Sequence, residues 1–172
     1  MDIDRKFDTI KSKIKNMNHI DNEKFVDELY KWIIEISFFY DTVVKIGGDP
    51  STTQFQIKPS KRPSEGHIAL FSLRRGYPKE TFDDHWCYIL KDFGSKYVII
   101  PTTSIKLDSG KCDERYEMDI DDYTNKGKSR LQITDLRSVD VMRVNINPSP
   151  NYFEVITPRE SIIQKVKSII FS

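Results

Sequence analysis

The chain has 172 residues and a formal net charge of +1, with 38% hydrophobic and 31% charged residues. A disordered chain would hold fewer apolar residues and a larger net charge, so this composition indicates a folded protein of about one domain. The near-neutral total excludes a uniformly basic nucleic-acid-coating protein, and two cysteines are too few for a disulfide scaffold.

The N-terminal residues are acidic and lack the apolar stretch of a signal peptide. The most apolar window, residues 32–46, contains Glu35, Asp41 and Lys45, and is too short and too charged to span a bilayer. We therefore expect a cytoplasmic protein without a membrane partner.

Two helices are predicted in residues 1–47, which we interpret as a helical extension. Apolar residues recur there at spacings of three and four, which places them on one face of each helix. They are Ile3, Phe7, Ile10, Ile14 and Met17 in the first helix, and Phe25, Leu29, Trp32, Ile36, Phe39 and Val43 in the second. The second stripe is too large to leave in water. We expect it to dock on the rest of the chain or on a second subunit, which allows a homodimer.

Residues 48–64 contain Pro50, Pro59 and Pro63 and no hydrophobic period, and are interpreted as a linker or an extended arm. From residue 65 the pattern changes to short runs rich in strand-forming residues, separated by turn residues. The predicted strands are 67–73, 85–91, 96–105, 115–120, 129–134 and 139–145.

The last predicted element is a helix, for which Thr157 is the expected N-cap, followed by Pro158 and then Glu160 in a capping box. The sequence thus predicts an α+β fold that is mainly β. Residues 65–172 are expected to form one domain, a small barrel or sandwich that ends in this helix.

Charge is uneven along the chain. Residues 56–79 hold six basic residues and one acidic residue, which gives a local charge of +5. This is compatible with a polyanion bound near the loop that follows the first predicted strand. An equally good interpretation is solvated loop charge with no partner.

Polar residues near this loop could hold a phosphate and move a proton. Three consecutive hydroxyl residues, 102–104, follow a buried apolar run, and such groups donate hydrogen bonds to phosphate oxygens. Arg74, Arg75 and Lys79 lie in the loop and would add positive charge. His85 follows the loop and could act as an acid or a base near neutral pH.

No strong catalytic signature accompanies these residues. The sequence has no Walker loop and no G-x-G-x-x-G, H-E-x-x-H or C-x-x-C motif. No cluster of His, Cys and carboxylate residues has metal-ligand spacing, so neither a metal nor a cofactor is expected. Cys87 shares a strand face with His85, and a thiol–imidazole pair is possible there. A buried structural cysteine is the better interpretation.

Four segments share their pattern with a known family. Residues 66–73 are G-H-I-A-L-F-S-L, residues 85–90 are H-W-C-Y-I-L, residues 97–104 are Y-V-I-I-P-T-T-S, and residues 129–144 are S-R-L-Q-I-T-D-L-R-S-V-D-V-M-R-V. They resemble the first strand, the Arg-Pro strand, the V-I-V-x-P-[IV]-T-S strand and the Q-I-R-T segment of the MazF/PemK toxins. The predicted terminal helix also resembles that family, whereas the N-terminal helices have no counterpart in it.

This resemblance implies an SH3-like β-barrel that usually dimerises. It also implies the activity of a toxin from a toxin–antitoxin module, namely metal-independent cleavage of single-stranded RNA. In that reaction the ribose 2′-OH attacks the adjacent phosphate and leaves a cyclic phosphate and a 5′-OH end. The implied partners are single-stranded RNA and an antitoxin protein.

The resemblance also implies roles for individual residues. The family threonine falls on Thr103 and the family glutamine on Asp135, whereas His85 and Trp86 stand where the family has Arg-Pro. We expect His85 to be the acid or base, and an arginine of the first loop to supply the missing cation. The expected catalytic set is His85, Thr103, Ser104, Arg74 and Arg75, and the expected substrate-binding set is Lys79, Thr102 and Asp135.

Two other interpretations of the sequence remain. The barrel could be a non-catalytic module that has lost its active site and binds a protein or an RNA. It could also be an unrelated β-domain. The change from arginine to His85 and the long helical extension support the binding module as the alternative, whereas the ribonuclease is the function that we predict.

Overall fold

The computed structural model describes residues 2–121 and 127–171. The chain divides into two compact units, Met1–Thr53 and Gln54–Ser172. The architecture is α+β, with helices at both ends of the chain and an antiparallel sheet between them, as predicted. None of the described helices is long and apolar enough to cross a membrane.

The first unit is helical. Helix α1 spans Ile3–Lys15 and helix α2 spans Asn22–Phe38, with a π-helical turn at Phe39–Val43 after it. Asp21 caps helix α2, because its side chain accepts a hydrogen bond from the Lys24 backbone N–H at 3.0 Å.

The described residues of the second unit form seven strands. They are β1 (His67–Ser72), β2 (Asp84–Asp92), β3 (Lys96–Ser104), β4 (Glu117–Asp121), β5 (Lys128–Gln132), β6 (Arg137–Asp140) and β7 (Tyr152–Glu154). They form one antiparallel sheet in the order β4-β5-β3-β2-β1-β7, and β6 also pairs with β3. The sheet is open, because β4 and β7 end this order without pairing to each other.

Strand β3 organises the sheet because it pairs with two partners on one edge. Its first half, Lys96 to Ile99, pairs with β6, and its last three residues, Thr102 to Ser104, pair with β5. Pro101 lies between these two pairings, where its lack of an N–H costs no ladder hydrogen bond. The exit of β3 is therefore flanked by β2 on one side and β5 on the other.

Two hydrophobic clusters form the core, one on each face of the sheet. Alternation along the strands sends Cys87 and Ile99 to the first cluster and Tyr88 and Ile100 to the second. Helix α3 (Arg159–Ile170) covers the second cluster with its buried apolar residues. The predicted N-cap of α3 is wrong, because Pro158 is the cap residue, and the Thr157 hydroxyl instead accepts a hydrogen bond from the Asp121 N–H at 2.8 Å.

Part of the predicted linker packs against the sheet. Ile57 is 5% exposed and belongs to the first cluster. The Arg62 guanidinium contacts the Asp92 carboxylate at 2.8 Å, and the buried Tyr97 hydroxyl donates to the Pro63 carbonyl at 2.9 Å. These contacts tie residues 57–63 to the hairpin of β2 and β3.

Candidate active site

His85 lies at the start of β2, beside the exit of β3. In the β2–β3 pairing Cys87 is opposite Pro101, and side chains alternate along each strand. His85 and Thr103 therefore project from the same face of the sheet as Cys87 and Pro101. The His85 ring Nε2 is 2.7 Å from the carbonyl oxygen of Thr102. A carbonyl oxygen only accepts, so Nε2 carries the hydrogen and the neutral ring has its lone pair at Nδ1.

The three hydroxyl residues at the exit of β3 differ in environment. Thr102 is buried, and its hydroxyl donates to the Trp86 carbonyl at 3.0 Å. Thr103 and Ser104 are both exposed, but they project from opposite faces of the strand. Of the two exposed hydroxyls, that of Thr103 shares the face with His85, while Ser104 pairs with Ser129 of β5 and faces the other way.

Asp135 lies near this face and connects it to the β1–β2 loop. It ends the short 3₁₀ helix Ile133–Asp135, and its Oδ2 accepts the Thr81 backbone N–H at 2.9 Å and also the Thr81 hydroxyl. The Arg137 guanidinium is 3.8 Å from the same oxygen. Asp135 thus bridges the end of the loop and the start of β6.

Arg137 is a cation that the sequence analysis did not select. It pairs with Ile99 of β3, so it projects from the face that carries Pro101 and Thr103. The sequence gives little indication that Arg137 belongs to the site. The alternation of residues 137–140 marks a strand, but this strand begins two residues before the one predicted at 139–145. Only the pairing with β3 shows that this guanidinium belongs with His85 and Thr103.

Cys87 lies beneath these groups and is fully buried. Burial raises the pKa of its thiol, while the nearby Arg137 lowers this pKa and Asp135 raises it. Because a thiolate is the nucleophilic form, a raised pKa makes Cys87 a poor nucleophile at neutral pH. The structure favours the structural role for this cysteine.

Three basic residues, Arg74, Arg75 and Lys79, lie in the β1–β2 loop, and their environments differ from one another. The Arg75 guanidinium contacts the Asp83 carboxylate at 2.6 Å and lies 4.5 Å from the centre of the Phe82 ring. Arg74 has a positive φ of 69° at the neck of the loop, where its carbonyl accepts the Asp83 N–H at 3.3 Å. Lys79 is exposed in a turn at the loop tip. The charge of Arg75 is therefore balanced within the loop.

A second arginine borders Thr103 from β5. Arg130 is opposite Thr103 in the β3–β5 pairing, and its Nε contacts the Asp119 carboxylate at 2.6 Å. This contact holds the pKa of Asp119 below its ordinary value and raises that of Arg130. Glu117 is 3.6 Å from the same nitrogen. Each of the two guanidiniums on this face, Arg130 and Arg137, thus has a carboxylate close by.

Among the described residues, the face therefore combines the His85 imidazole, the exposed Thr103 hydroxyl and the guanidiniums of Arg130 and Arg137. These groups can accept a proton and donate hydrogen bonds to an anion such as a phosphate. Within residues 2–121 and 127–171, no three His, Cys, Asp or Glu side chains are grouped so that they could share a metal ion.

Comparisons with protein-family models and with curated proteins found no match to this chain.

Proposed function

We propose that this chain is a metal-independent endoribonuclease of the MazF/PemK type, and that it acts as the toxin of a toxin–antitoxin module. The proposal includes an SH3-like barrel for the second unit. The observation that carries it is the placement of His85 and Thr103 on one sheet face, where β2 and β3 meet. These are the two positions to which the family resemblance gives catalytic roles.

In the proposed reaction the lone pair at Nδ1 of His85 accepts the proton of a ribose 2′-OH. The 2′-oxygen then attacks the adjacent phosphorus, and the bond from phosphorus to the 5′-oxygen breaks. The departing 5′-oxygen takes a proton from solvent and becomes a 5′-OH, the other product ends in a 2′,3′-cyclic phosphate, and His85 then returns its proton to solvent. No water is consumed in this step, so a metal-activated water is not required.

Charge develops on the non-bridging phosphate oxygens in the transition state. The Thr103 hydroxyl is placed to donate to one of them, and Arg137 is the guanidinium placed to stabilise their charge. We prefer Arg137 to Arg75 for this role, because Arg75 contacts Asp83 at 2.6 Å, whereas Arg137 lies 3.8 Å from Asp135. Arg74 remains a predicted catalytic residue and Lys79 a predicted contact of the RNA chain. Ser104 projects from the other face and the buried Thr102 hydroxyl donates to the Trp86 carbonyl, so we give neither a role in the reaction.

A specific observation also supports a non-catalytic binding module. Asp119 and Asp135 bring negative charge to the face where a phosphate would bind, and each lies beside one of its guanidiniums. A protein partner with its own positive groups would suit such a mixed surface. This is the second candidate function.

Incubation of the purified full chain with a mixed-sequence single-stranded RNA separates the two candidates. The ribonuclease cuts the RNA at a limited set of sequences, leaves a matched duplex intact, and loses this activity in His85→Ala. The binding module leaves every RNA intact in the wild type and in the variant. A folded wild-type protein that never cuts would reject the proposed enzyme.

A further inference from the structure

The helical unit does not bury a core of its own. Among its described residues, 2–53, Glu28 alone is buried, and no hydrophobic side chain is. Eleven large apolar side chains of residues 3–40 are 40–67% exposed, among them Phe7, Tyr30 and Ile33. A unit of this size normally folds only when its apolar surface is covered. The two helices therefore lack a layer that would complete them.

The distribution of this surface favours further helices as the missing layer. On α2 the exposed residues Val26, Tyr30 and Ile33 recur at spacings of four and three, and Ile10 follows Phe7 in the same way on α1. Each helix thus presents a stripe along its length. Two consecutive helices that each present such a stripe can form half of a four-helix bundle.

The charges of the helices point to a second copy of the same unit. Helix α1 carries five basic and two acidic residues, a charge of +3, and α2 carries two basic and four acidic residues, a charge of −2. A two-fold interface needs a surface that complements itself, and a basic helix beside an acidic one satisfies this when α1 of each copy meets α2 of the other. An anionic lipid surface or an RNA would attract α1 but repel α2.

We propose that the helical units of two copies of this chain associate through the apolar stripes of α1 and α2, and that they form a four-helix bundle. The residues of this surface belong to the first unit, and those of the proposed ribonuclease face belong to the second. The tests of this proposal are therefore separate from the tests of the proposed function.

Sedimentation equilibrium of the full chain gives the first test. The wild type is expected to be a dimer, and Ile33→Asp should weaken the association by about tenfold or more, because it places a charge within the apolar stripe. Ser12→Asp is the matched control, since it adds the same residue to the polar face of α1 and should leave the dimer intact. A wild-type monomer would overturn the proposal, whether the helices dock on the same chain or on another partner.

Charge reversal distinguishes this interface from one made by the sheet. One variant carries Lys11→Glu and Lys15→Glu, and the other carries Glu23→Lys and Asp27→Lys. Each alone should dimerise at least several-fold more weakly than the wild type, because like charges then face each other across the interface. Mixed together they should form a heterodimer, since the reversed α1 of one chain now complements the reversed α2 of the other. Unchanged dimers of both variants, with helix content retained by circular dichroism, would show that the helices are not the interface.

Discussion

Thr81 and Asp135 are 54 positions apart in the sequence, yet the Thr81 backbone N–H donates to Asp135 Oδ2 at 2.9 Å. The same carboxylate lies 3.8 Å from Arg137. One side chain thus fixes the end of the β1–β2 loop, four residues before His85, and also places negative charge beside a guanidinium of the proposed site. Substitutions at Asp135 can separate the effect of its hydrogen bond to Thr81 from the effect of its negative charge.

Asp135→Asn should strengthen RNA binding by a few-fold, because it removes the negative charge beside Arg137 and keeps an oxygen that accepts from Thr81. Fluorescence anisotropy with a labelled RNA at two salt concentrations measures this change. Asp135→Ala also loses the tie to Thr81, so it should not reproduce the full gain. Equal or weaker binding by a folded Asp135→Asn would show that Arg137 does not contact RNA phosphate.

Thr103→Ala should lower the rate of RNA cleavage by about 10²-fold, since it removes a donor to the scissile phosphate. Ser104→Ala is the matched control, because this neighbouring hydroxyl is also exposed but projects from the other face. Initial cleavage rates of the two folded variants give the comparison. Equal losses in both, or none in Thr103→Ala, would remove Thr103 from the site.

His85→Ala should lower the cleavage rate by roughly 10²–10⁴-fold, the usual contribution of one acid–base group. Initial cleavage rates of the folded wild type and of His85→Ala on the same single-stranded RNA measure this loss. His85→Arg restores the residue typical of the resembled family, and should retain substantial activity if the other arginines only compensate for its absence. Undiminished cleavage by folded His85→Ala would reject a catalytic role for His85 while keeping the ribonuclease.

Cleavage should persist in excess chelator, because the proposed attack by the 2′-OH needs only side-chain donors and acceptors. The measurement compares initial rates before and after prolonged dialysis against EDTA. Loss of activity that a single divalent ion restores would contradict this mechanism.

Tyr97→Phe should lower the unfolding free energy by about 1 kcal/mol at neutral pH, because it deletes the buried hydrogen bond to the Pro63 carbonyl. Burial raises the pKa of Tyr97 to about 12, above its ordinary value of 10.0. The fold therefore favours the neutral phenol. Its stabilisation is complete below the unfolded pKa and is lost as the pH rises through the folded one.

Urea unfolding of both proteins at neutral pH and between pH about 10 and about 12 tests this linkage. The advantage of the wild type over Tyr97→Phe should shrink across the alkaline range, while other ionising groups act equally on both. A constant difference at every pH would contradict the assigned shift.

Local pattern predicted much of the fold. The predicted strands 85–91 and 96–105 correspond to β2 and β3, because alternation and a Val-Ile-Ile run are properties of neighbouring residues. The helices at both ends of the chain are confirmed for the same reason. The pattern predicted a barrel or a sandwich, and the observed sheet is open.

The features of the fold and of the site that local pattern did not predict depend on contacts between segments far apart in the sequence. The tie of Asp135 to Thr81 and the pairing of Arg137 with Ile99 join residues far apart in sequence, so no local period encodes them. The cap of α3 was mispredicted for a related reason, because the Thr157 hydroxyl accepts from Asp121 of β4 instead of capping the helix. His85 and Thr103 could be selected only through the family resemblance and their residue types.

The end groups of RNA fragments test the proposed function most directly. Purified full chain is incubated with a mixed-sequence single-stranded RNA, and the fragments are analysed for phosphate at both ends. The proposed reaction leaves a 2′,3′-cyclic phosphate on one fragment and a 5′-OH on the other, and Thr103→Ala yields far less of both. Fragments with a 5′-phosphate and a 3′-OH, or no cleavage of several RNAs by the folded protein freed of any bound partner, would contradict it.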